Sequence, residues 1–124
     1  MKNIYFVLII CAWVFTGCAA PQHMYHWGNY SHSLYKYKKS PTDENLLLHK
    51  EALIKIIDES NKTSKRIPPG IYCEYGYILI SEGKTDEALK YLELEEQTYP
   101  ESKVFIQRLK ATINKEREGR DEQE

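Results

Sequence analysis

The hydrophobic positions between residues 27 and 113 recur at helical spacing, and turn residues divide them into five predicted helices. The first helix, 27–38, stops at Ser40–Pro41 because proline disfavours helical backbone in the residue before it. One face of this helix carries apolar residues at spacings of three and four, namely Trp27, Tyr30, Leu34 and Tyr37. We expect this face to pack into the core, with Ser33 lying off it.

The second predicted helix begins at a capping signal, with Ser40 as the N-cap and Pro41 in the first helical position. Its apolar stripe consists of Leu46, His49, Leu53, Ile56 and Ile57. A polar loop, 62–66, leads to the third predicted helix, 69–82, which is apolar nearly all round and is therefore expected to be buried on more than one side. A buried strand is the alternative for this run, but its length and the helices that follow favour a helix.

Turn residues set the limits of the remaining helices. Gly83 is expected to follow the third helix as its C-cap. The fourth predicted helix starts at 84–87 and stops at Tyr99–Pro100, and the fifth begins at Pro100. The narrow stripe of the fifth helix consists of Phe105, Leu109 and Ile113. The charged sequence over 114–124 is predicted to be a disordered tail.

Residues 69–102 carry a pattern of small and large side chains that resembles the tetratricopeptide repeat. The matching positions are Tyr72, Tyr75, Gly76, Leu79, Gly83, Ala88, Leu92 and Pro100, whereas Glu95 departs from the pattern, which prefers alanine there. A weaker copy lies upstream, because 42–46 match 85–89 at an offset of 43 residues. The resemblance implies an all-α, tetratricopeptide-like domain over 27–113, with two helical hairpins and a capping helix.

The first eighteen residues have the features of a secretory signal, in which Lys2 precedes an apolar run from Ile4 to Phe15 that is too short for a stable membrane span. Residues 15–18, Phe-Thr-Gly-Cys, resemble the bacterial lipobox, although Phe15 replaces the usual leucine. An ordinary signal peptide that ends near a cysteine is the alternative. The resemblance implies a signal peptide over 1–17, lipid attachment at Cys18 and a tether over 18–26.

The residue after the lipobox cysteine is Ala19, not aspartate. In enteric-type bacteria this resemblance implies an outer-membrane lipoprotein, which we expect to face the periplasm. With Cys11 lost in the signal and Cys18 lipidated, Cys73 is left without a disulfide partner in the chain, so we interpret it as a small core residue and not as a nucleophile. The net charge of −1 argues against a nucleic-acid partner, since phosphate binding needs a basic excess.

Aromatic residues crowd into the stretch MYHWGNYSHSLYKYKK, 24–39, which could form a base-stacking surface, a membrane-interface belt, a metal site or a helix face. Its spacing favours the helix face for most of the rings. Tyr25 and Tyr35 lie off that face and are candidates for a partner surface. Three lysines could contact anionic headgroups near the lipid, namely Lys36, Lys38 and Lys39. The histidines, which are His23, His26, His32 and His49, lack metal-ligand spacing, so we interpret them as surface side chains and expect no metal.

The acidic residues give one candidate for function. Glu93, Glu95 and Glu96 are interpreted as a solvated cluster on a helix surface. Glu74 lies within the apolar third helix, where a carboxylate needs a partner or has a raised pKa. We expect a hydrogen bond to a tyrosine, lysine or arginine, with a functional acid as the alternative. Since no phosphate loop, nucleophile elbow or catalytic dyad is present, we expect neither a cofactor nor a catalytic residue.

The mature chain also resembles a family of bacterial lipoproteins known only as domain of unknown function forty-eight-ten. The carrying residues are Tyr25, Trp27-Gly28, Tyr30, Leu34-Tyr35, Tyr37, Pro41, Pro69-Gly70, Tyr72, Glu74, Gly76-Tyr77, Gly83-Lys84 and Tyr99-Pro100-Glu101-Ser102. Members of this family tend to be encoded beside lipoproteins similar to the curli secretion channel. The resemblance implies a non-enzymatic adaptor for an envelope protein complex, and the alternatives are a cell-wall-binding lipoprotein and a small-ligand binder that uses Glu74 and a tyrosine-lined groove.

Overall fold

The computed structural model describes residues 23–121, which fold into five α-helices and one short 3-10 turn. The bounds are α1 Tyr30–Lys39, α2 Asp43–Lys62, α3 Ile71–Ser81, α4 Thr85–Thr98, the 3-10 turn Pro100–Ser102, and α5 Lys103–Asp121. The all-α prediction is confirmed, and the strand alternative for the third element is excluded because α3 is helical. The predicted signal peptide over 1–17, the lipid site Cys18 and residues 18–22 of the predicted tether lie outside the described residues.

Helix α1 begins three residues later than predicted. Gly28 takes a left-handed backbone with φ of +46°, so the chain turns after Trp27 and the helix starts at Tyr30. Trp27 therefore leaves the predicted core face and is 43% exposed. Ser33, which was predicted to lie off the face, is buried instead. The reason is that the inner face of α1 packs against polar as well as apolar side chains.

Helix α2 is capped by Thr42 and not by Ser40. The Thr42 hydroxyl accepts a hydrogen bond from the backbone N–H of Asn45 at 3.3 Å. Ser40 has extended backbone at the C-terminal end of α1, and its carbonyl accepts a hydrogen bond from the Asn45 side chain at 2.8 Å. The predicted N-cap was therefore wrong by two residues, and Pro41 lies in the connection between the helices.

Helices α3 and α4 pack closely against each other. Gly83, with φ of +77°, lets the chain reverse after α3, as predicted. The backbone N–H groups of Gly83 and Lys84 donate to the carbonyls of Ile80 and Leu79, both at 2.9 Å, which satisfies the free end of the helix. A methyl group built on Gly76 would lie 3.2 Å from the carbonyl oxygen of Ala88, so glycine is what lets the two backbones approach.

The main core lies between α2, α3 and α4, and α5 extends it through a second cluster. The buried residues of the main cluster are Leu53, Ile56, Ile57, Ile67, Ile71, Tyr72, Tyr75, Ile78, Leu79 and Ala88. The second cluster is formed by Leu92, Ile106 and Ile113, with Leu109 packed against it. Phe105 was predicted to face this cluster but is exposed, because Ile106 occupies the inward position in that turn.

Helix α5 continues well past the predicted end of the domain. It runs to Asp121, so the prediction of a disordered tail from Asn114 was wrong for 114–121. Ile113 is buried and Arg117 donates to the Asp86 carboxylate at 3.0 Å, and both contacts hold this part of the helix to the fold. Within residues 23–121, the structure has no helix of the length and apolar character needed to cross a bilayer.

Candidate functional site

A groove with a volume of about 240 Å³ lies between α1, α2 and α3. Its walls are apolar and aromatic, and they consist of Leu34, Tyr37, Leu46, Tyr77 and Ile78. Polar groups come from Lys38, His49, Glu74 and Ser81. Tyr77 is 64% exposed, so its ring stands at the open side of the groove. This set of side chains is what we call the groove below.

A hydrogen-bonded network centred on Glu74 joins the three helices that form the groove. The Tyr30 hydroxyl of α1 donates to Oε2 of Glu74 at 2.9 Å, and Nε2 of His49 on α2 lies 3.0 Å from Oε1. The other ring nitrogen of His49, Nδ1, lies 2.9 Å from the Ser33 hydroxyl, which is also 2.9 Å from the Tyr30 carbonyl. Because every member bonds to another helix, the network fixes the position of α1 on α2 and α3.

The order serine, histidine, carboxylate is also found in hydrolytic triads, but the geometry here differs. Ser33 is only 4% exposed and does not line the groove, so a substrate in the groove would not reach its hydroxyl. The histidine is also reversed, because Nδ1 faces the serine and Nε2 faces the acid, whereas the serine-protease histidine meets its serine through Nε2. The arrangement therefore supports a positioning role for the network.

Tyr30 acts as a hydrogen-bond donor over the whole neutral pH range. Burial, which contributes most, and the hydrogen bond to the negatively charged Glu74 carboxylate together raise the pKa of Tyr30 to about 12. The phenol consequently keeps its proton and holds Oε2 of Glu74. About a third of the Glu74 side chain remains exposed to the groove.

The structure does not bring the three predicted partner-surface residues together. Glu74 lies in the groove and has a tyrosine partner, as predicted, but its second partner is His49 and not lysine or arginine. Tyr35 is exposed on α1 and does not line the groove. Tyr25 packs edge-on against Trp27, with ring centroids 6.4 Å apart, and its backbone forms an isolated parallel bridge with Arg66. The tether prediction therefore fails at Tyr25, which is packed on the domain.

Sequence reasoning missed Tyr77 and Lys38 as groove residues. Tyr77 was counted among the apolar positions of α3, and Lys38 among the charges near the lipid. Sequence spacing could have identified Tyr77, because it lies three residues after Glu74 and residues at this spacing share a helix face.

The predicted surface positions of the histidines and of the acidic cluster are wrong for one residue each. His49 is 1% exposed, in agreement with its place in the stripe of α2 and against the interpretation of the histidines as surface side chains. Glu95 is buried too, although a solvated position was predicted, and its Oε1 accepts from the Gly70 backbone N–H at 2.7 Å. No set of three side chains able to hold a metal ion occurs among the described histidines, cysteines and acids.

Cys73 is half-buried, packed against the cluster formed by α4 and α5. Burial raises the pKa of the Cys73 thiol to about 11, with smaller contributions from Glu95 and Glu74. The thiolate is the reactive form of cysteine, so this group is poorly suited to act as a nucleophile at neutral pH.

The family model described as Domain of unknown function (DUF4810) matches residues 24–109 of the chain. The chain belongs to this family. The DUF4810 region includes every residue of the groove and of the Glu74 network, and ends within α5. Neither the curated proteins nor the solved structures yielded a significant match to the chain.

Proposed function

We propose that this DUF4810 protein is a non-enzymatic adaptor, anchored by lipid on Cys18 in a bacterial outer membrane and facing the periplasm, whose groove binds a segment of another envelope protein. The observation that supports this function best is the groove itself. It combines aromatic walls with a pair of polar side chains, His49 and Glu74, that are already bonded to each other and to α1. Such a pair favours recognition over chemistry, because both side chains are occupied in holding α1 in place.

The size and composition of the groove suit a protein segment. About 240 Å³ is below the range of roughly 300–1,000 Å³ of pockets for drug-sized ligands, and it suits an anchoring side chain of a partner. Tyrosine is enriched at the energetic centres of interfaces, and Tyr37 and Tyr77 supply two rings here. An apolar or aromatic anchor side chain would be covered by these rings and by Leu34, Leu46 and Ile78.

The wider setting comes from the sequence patterns. The lipobox resemblance supports an anchor at Cys18, and the tetratricopeptide-like pattern supports a domain that presents surfaces to other proteins. The family resemblance suggests a curli-type secretion or assembly system as the complex in which the partner is found.

Photo-crosslinking tests the groove as the partner site. A photo-reactive amino acid in place of Tyr77 should give a specific crosslinked product in cell envelopes, and mass spectrometry should identify the partner. The matched control is the same amino acid in place of Lys90, which is exposed on α4 outside the groove. Equal products from both positions, or none from Tyr77, would contradict the proposed site.

Fractionation tests the anchor separately. Cys18→Ala should move the protein from the membrane to the soluble fraction, and a variant that remains fully in the membrane would contradict lipid attachment there.

The groove also favours a second candidate, a small-ligand binder. A carboxylate between tyrosine rings can recognise a small amine by charge and by cation–π contact. Glu74→Gln should abolish binding of such a ligand while the fold is kept. Unsubstituted protein that captures an envelope protein but binds no small amine would favour the adaptor.

A further inference from the structure

One end of the domain brings together the N-terminal segment 23–27 and the segment 62–66, which runs from the last residue of α2 into the connection to α3. The backbone bridge between Tyr25 and Arg66 joins them. A shallow, open cavity there is lined by His23, Met24, Tyr25, His26, Trp27 and Lys65. The groove described above uses neither segment.

Two large apolar side chains are exposed at this end. Met24 is 64% exposed and Trp27 is 43% exposed. The Trp27 ring is held in place by neighbouring rings, with centroids 6.4 Å from Tyr25 and 5.3 Å from Tyr30. Tryptophan is typical of the interface between lipid headgroups and acyl chains, where its apolar ring and polar N–H are both accommodated.

The same end is locally basic in a chain of net charge −1. The segment 62–66, from the last residue of α2 into the connection to α3, reads KTSKR, with three cations and no acid. Lys65 is exposed beside Trp27, and Lys62 is 69% exposed although it pairs with Glu59 at 3.1 Å. Arg66 is fixed to the domain by its bond to the Thr98 carbonyl at 3.0 Å and by the Tyr99 ring at 4.9 Å. Cations beside an exposed tryptophan complement an anionic lipid surface.

The expected lipid site brings this end close to a bilayer. His23 lies five positions after Cys18, and a chain of this length spans at most roughly 17 Å when fully extended. This step depends on the proposed attachment of lipid at Cys18.

We propose that Met24, Trp27, Lys62 and Lys65 form a seating surface that rests in the headgroup layer of an anionic membrane. The contact places Trp27 at the level of the glycerol backbone and the two lysines among the phosphates. The headgroup contact is then made by the connection before α3. The expected contact through Lys36, Lys38 and Lys39 is not made, because these residues lie at the other end of α1. The C-terminal half of α1, which lines the groove, then points away from the bilayer.

Tryptophan fluorescence tests the seating surface directly. The chain has two tryptophans, and Trp13 lies in the expected signal peptide, so Trp27 is the only one in the expected mature lipoprotein. The lipoprotein is purified from membranes and reconstituted in vesicles of mixed phosphatidylglycerol and phosphatidylcholine with brominated acyl chains. Trp27 emission should shift to shorter wavelength and fall by more than half.

The matched control moves the tryptophan to the far end of the domain. Trp27→Phe combined with Glu44→Trp places it 18 residues before Lys62 on α2, roughly 27 Å away along the helix. Its emission should be quenched far less. Equal quenching of the two proteins, with circular dichroism showing both folded, would overturn the seating surface.

A second experiment tests the contact of the lysines with the headgroups. Lys62→Gln with Lys65→Gln, or vesicles of phosphatidylcholine alone, should reduce Trp27 quenching, and unchanged quenching in both would overturn the headgroup contact. Intact mass separates this inference from the proposed anchor. A protein without lipid on Cys18 contradicts the anchor and with it the seating surface, whereas a lipidated protein with unquenched Trp27 contradicts the seating surface alone.

Discussion

His49 holds α1 in place although it lies on α2. Both ring nitrogens are bonded, one to the Ser33 hydroxyl and one to the Glu74 carboxylate, and the ring stacks in parallel with Tyr37 at 6.4 Å between centroids. Burying a histidine is costly unless both nitrogens find partners. Here the partners come from two other helices, so the bonds that satisfy the ring also fix the groove.

We predict that His49→Ala destabilises the protein by about 2–4 kcal/mol, because it leaves a cavity and removes hydrogen bonds from Ser33 and Glu74. Urea unfolding followed by circular dichroism measures the change. His32→Ala is the control, since His32 is exposed on α1, and it should change the free energy of unfolding very little. Equal effects of the two substitutions would show that the network does not stabilise the fold.

At the scale of the elements, the packing of α3 against α4 depends on a position where α3 has no side chain. Gly76 faces the Ala88 carbonyl, and Leu92 lies beside it, with a built methyl 3.4 Å from its side-chain carbons. A larger side chain would therefore separate the two helices.

Gly76→Ala should lower the free energy of unfolding by about 1 kcal/mol, since the clash with backbone outweighs the better helix propensity of alanine. Gly119→Ala is the matched control in α5, where a methyl group meets nothing within 4 Å. It should raise stability by about 0.5 kcal/mol. Thermal unfolding measures whether the two substitutions change stability in opposite directions. A gain of stability in both variants would contradict the close approach of α3 and α4.

Glu95 connects α4 to the start of α3. Its carboxylate accepts the Gly70 N–H at the beginning of α3, where the helix dipole favours a negative charge. We predict that Glu95→Ala costs about 2 kcal/mol of stability, because the Gly70 N–H loses its acceptor and the substitution leaves a gap at a buried position. Glu95→Gln keeps an acceptor and should cost less, and Glu93→Ala, at an exposed position, should have almost no effect. Chemical denaturation measures the free energy of unfolding of the three variants. A loss of stability in Glu93→Ala as large as that in Glu95→Ala would contradict the stabilising role of Glu95.

The sequence predicted the elements better than it predicted the polar contacts. Gly83 and Pro100 marked the ends of α3 and α4 correctly, because each imposes a backbone conformation by its own chemistry. Ser33 and Glu95 were placed on the surface because hydrophobic periodicity counts polar residues as exposed. Their burial depends on partners that are distant in sequence, such as His49 for Ser33 and Gly70 for Glu95.

The candidate site was predicted only through Glu74. An acid in an apolar helix is a visible exception, so the sequence pointed to it and to a tyrosine partner. Tyr77 shares a helix face with Glu74 and was overlooked, whereas Lys38 is brought to the groove by the packing of α1 on the other helices, which no local pattern specifies. The predicted position of Trp27 on the core face was wrong for a local reason. Gly28 has a left-handed backbone, so Trp27 is not part of the helix that begins at Tyr30.

At the scale of the whole molecule, the core is rich in tyrosines that must stay neutral. Burial raises the pKa of five of them above its ordinary value: Tyr30, Tyr72, Tyr75, Tyr91 and Tyr99. A raised pKa in the folded state means that the unfolded state loses its protons first as pH increases. The stabilisation is therefore fully present below about pH 10 and is lost above it.

We predict that the protein unfolds at clearly lower urea concentration at pH 11 than at pH 8. For Tyr30, with a pKa of about 12 in the fold and 10.0 outside it, the loss occurs between these values. Tyr30→Phe should therefore flatten part of the pH dependence, whereas Tyr35→Phe, at an exposed ring, should not. Urea midpoints across this pH range provide the measurement, and a midpoint that does not move would refute the burial of these phenols.

The bridge between Tyr25 and Arg66 also has a mechanical consequence. Any tension on the chain before His23 reaches this bridge before it reaches α1. Arg66 is held in turn by the Thr98 carbonyl and the Tyr99 ring, so the load passes to the end of α4. The Tyr30–Glu74 contact that shapes the groove is thus shielded from pulling at the N-terminus. If the chain is anchored at Cys18 as proposed, the groove would keep its shape when the anchor pulls on the domain.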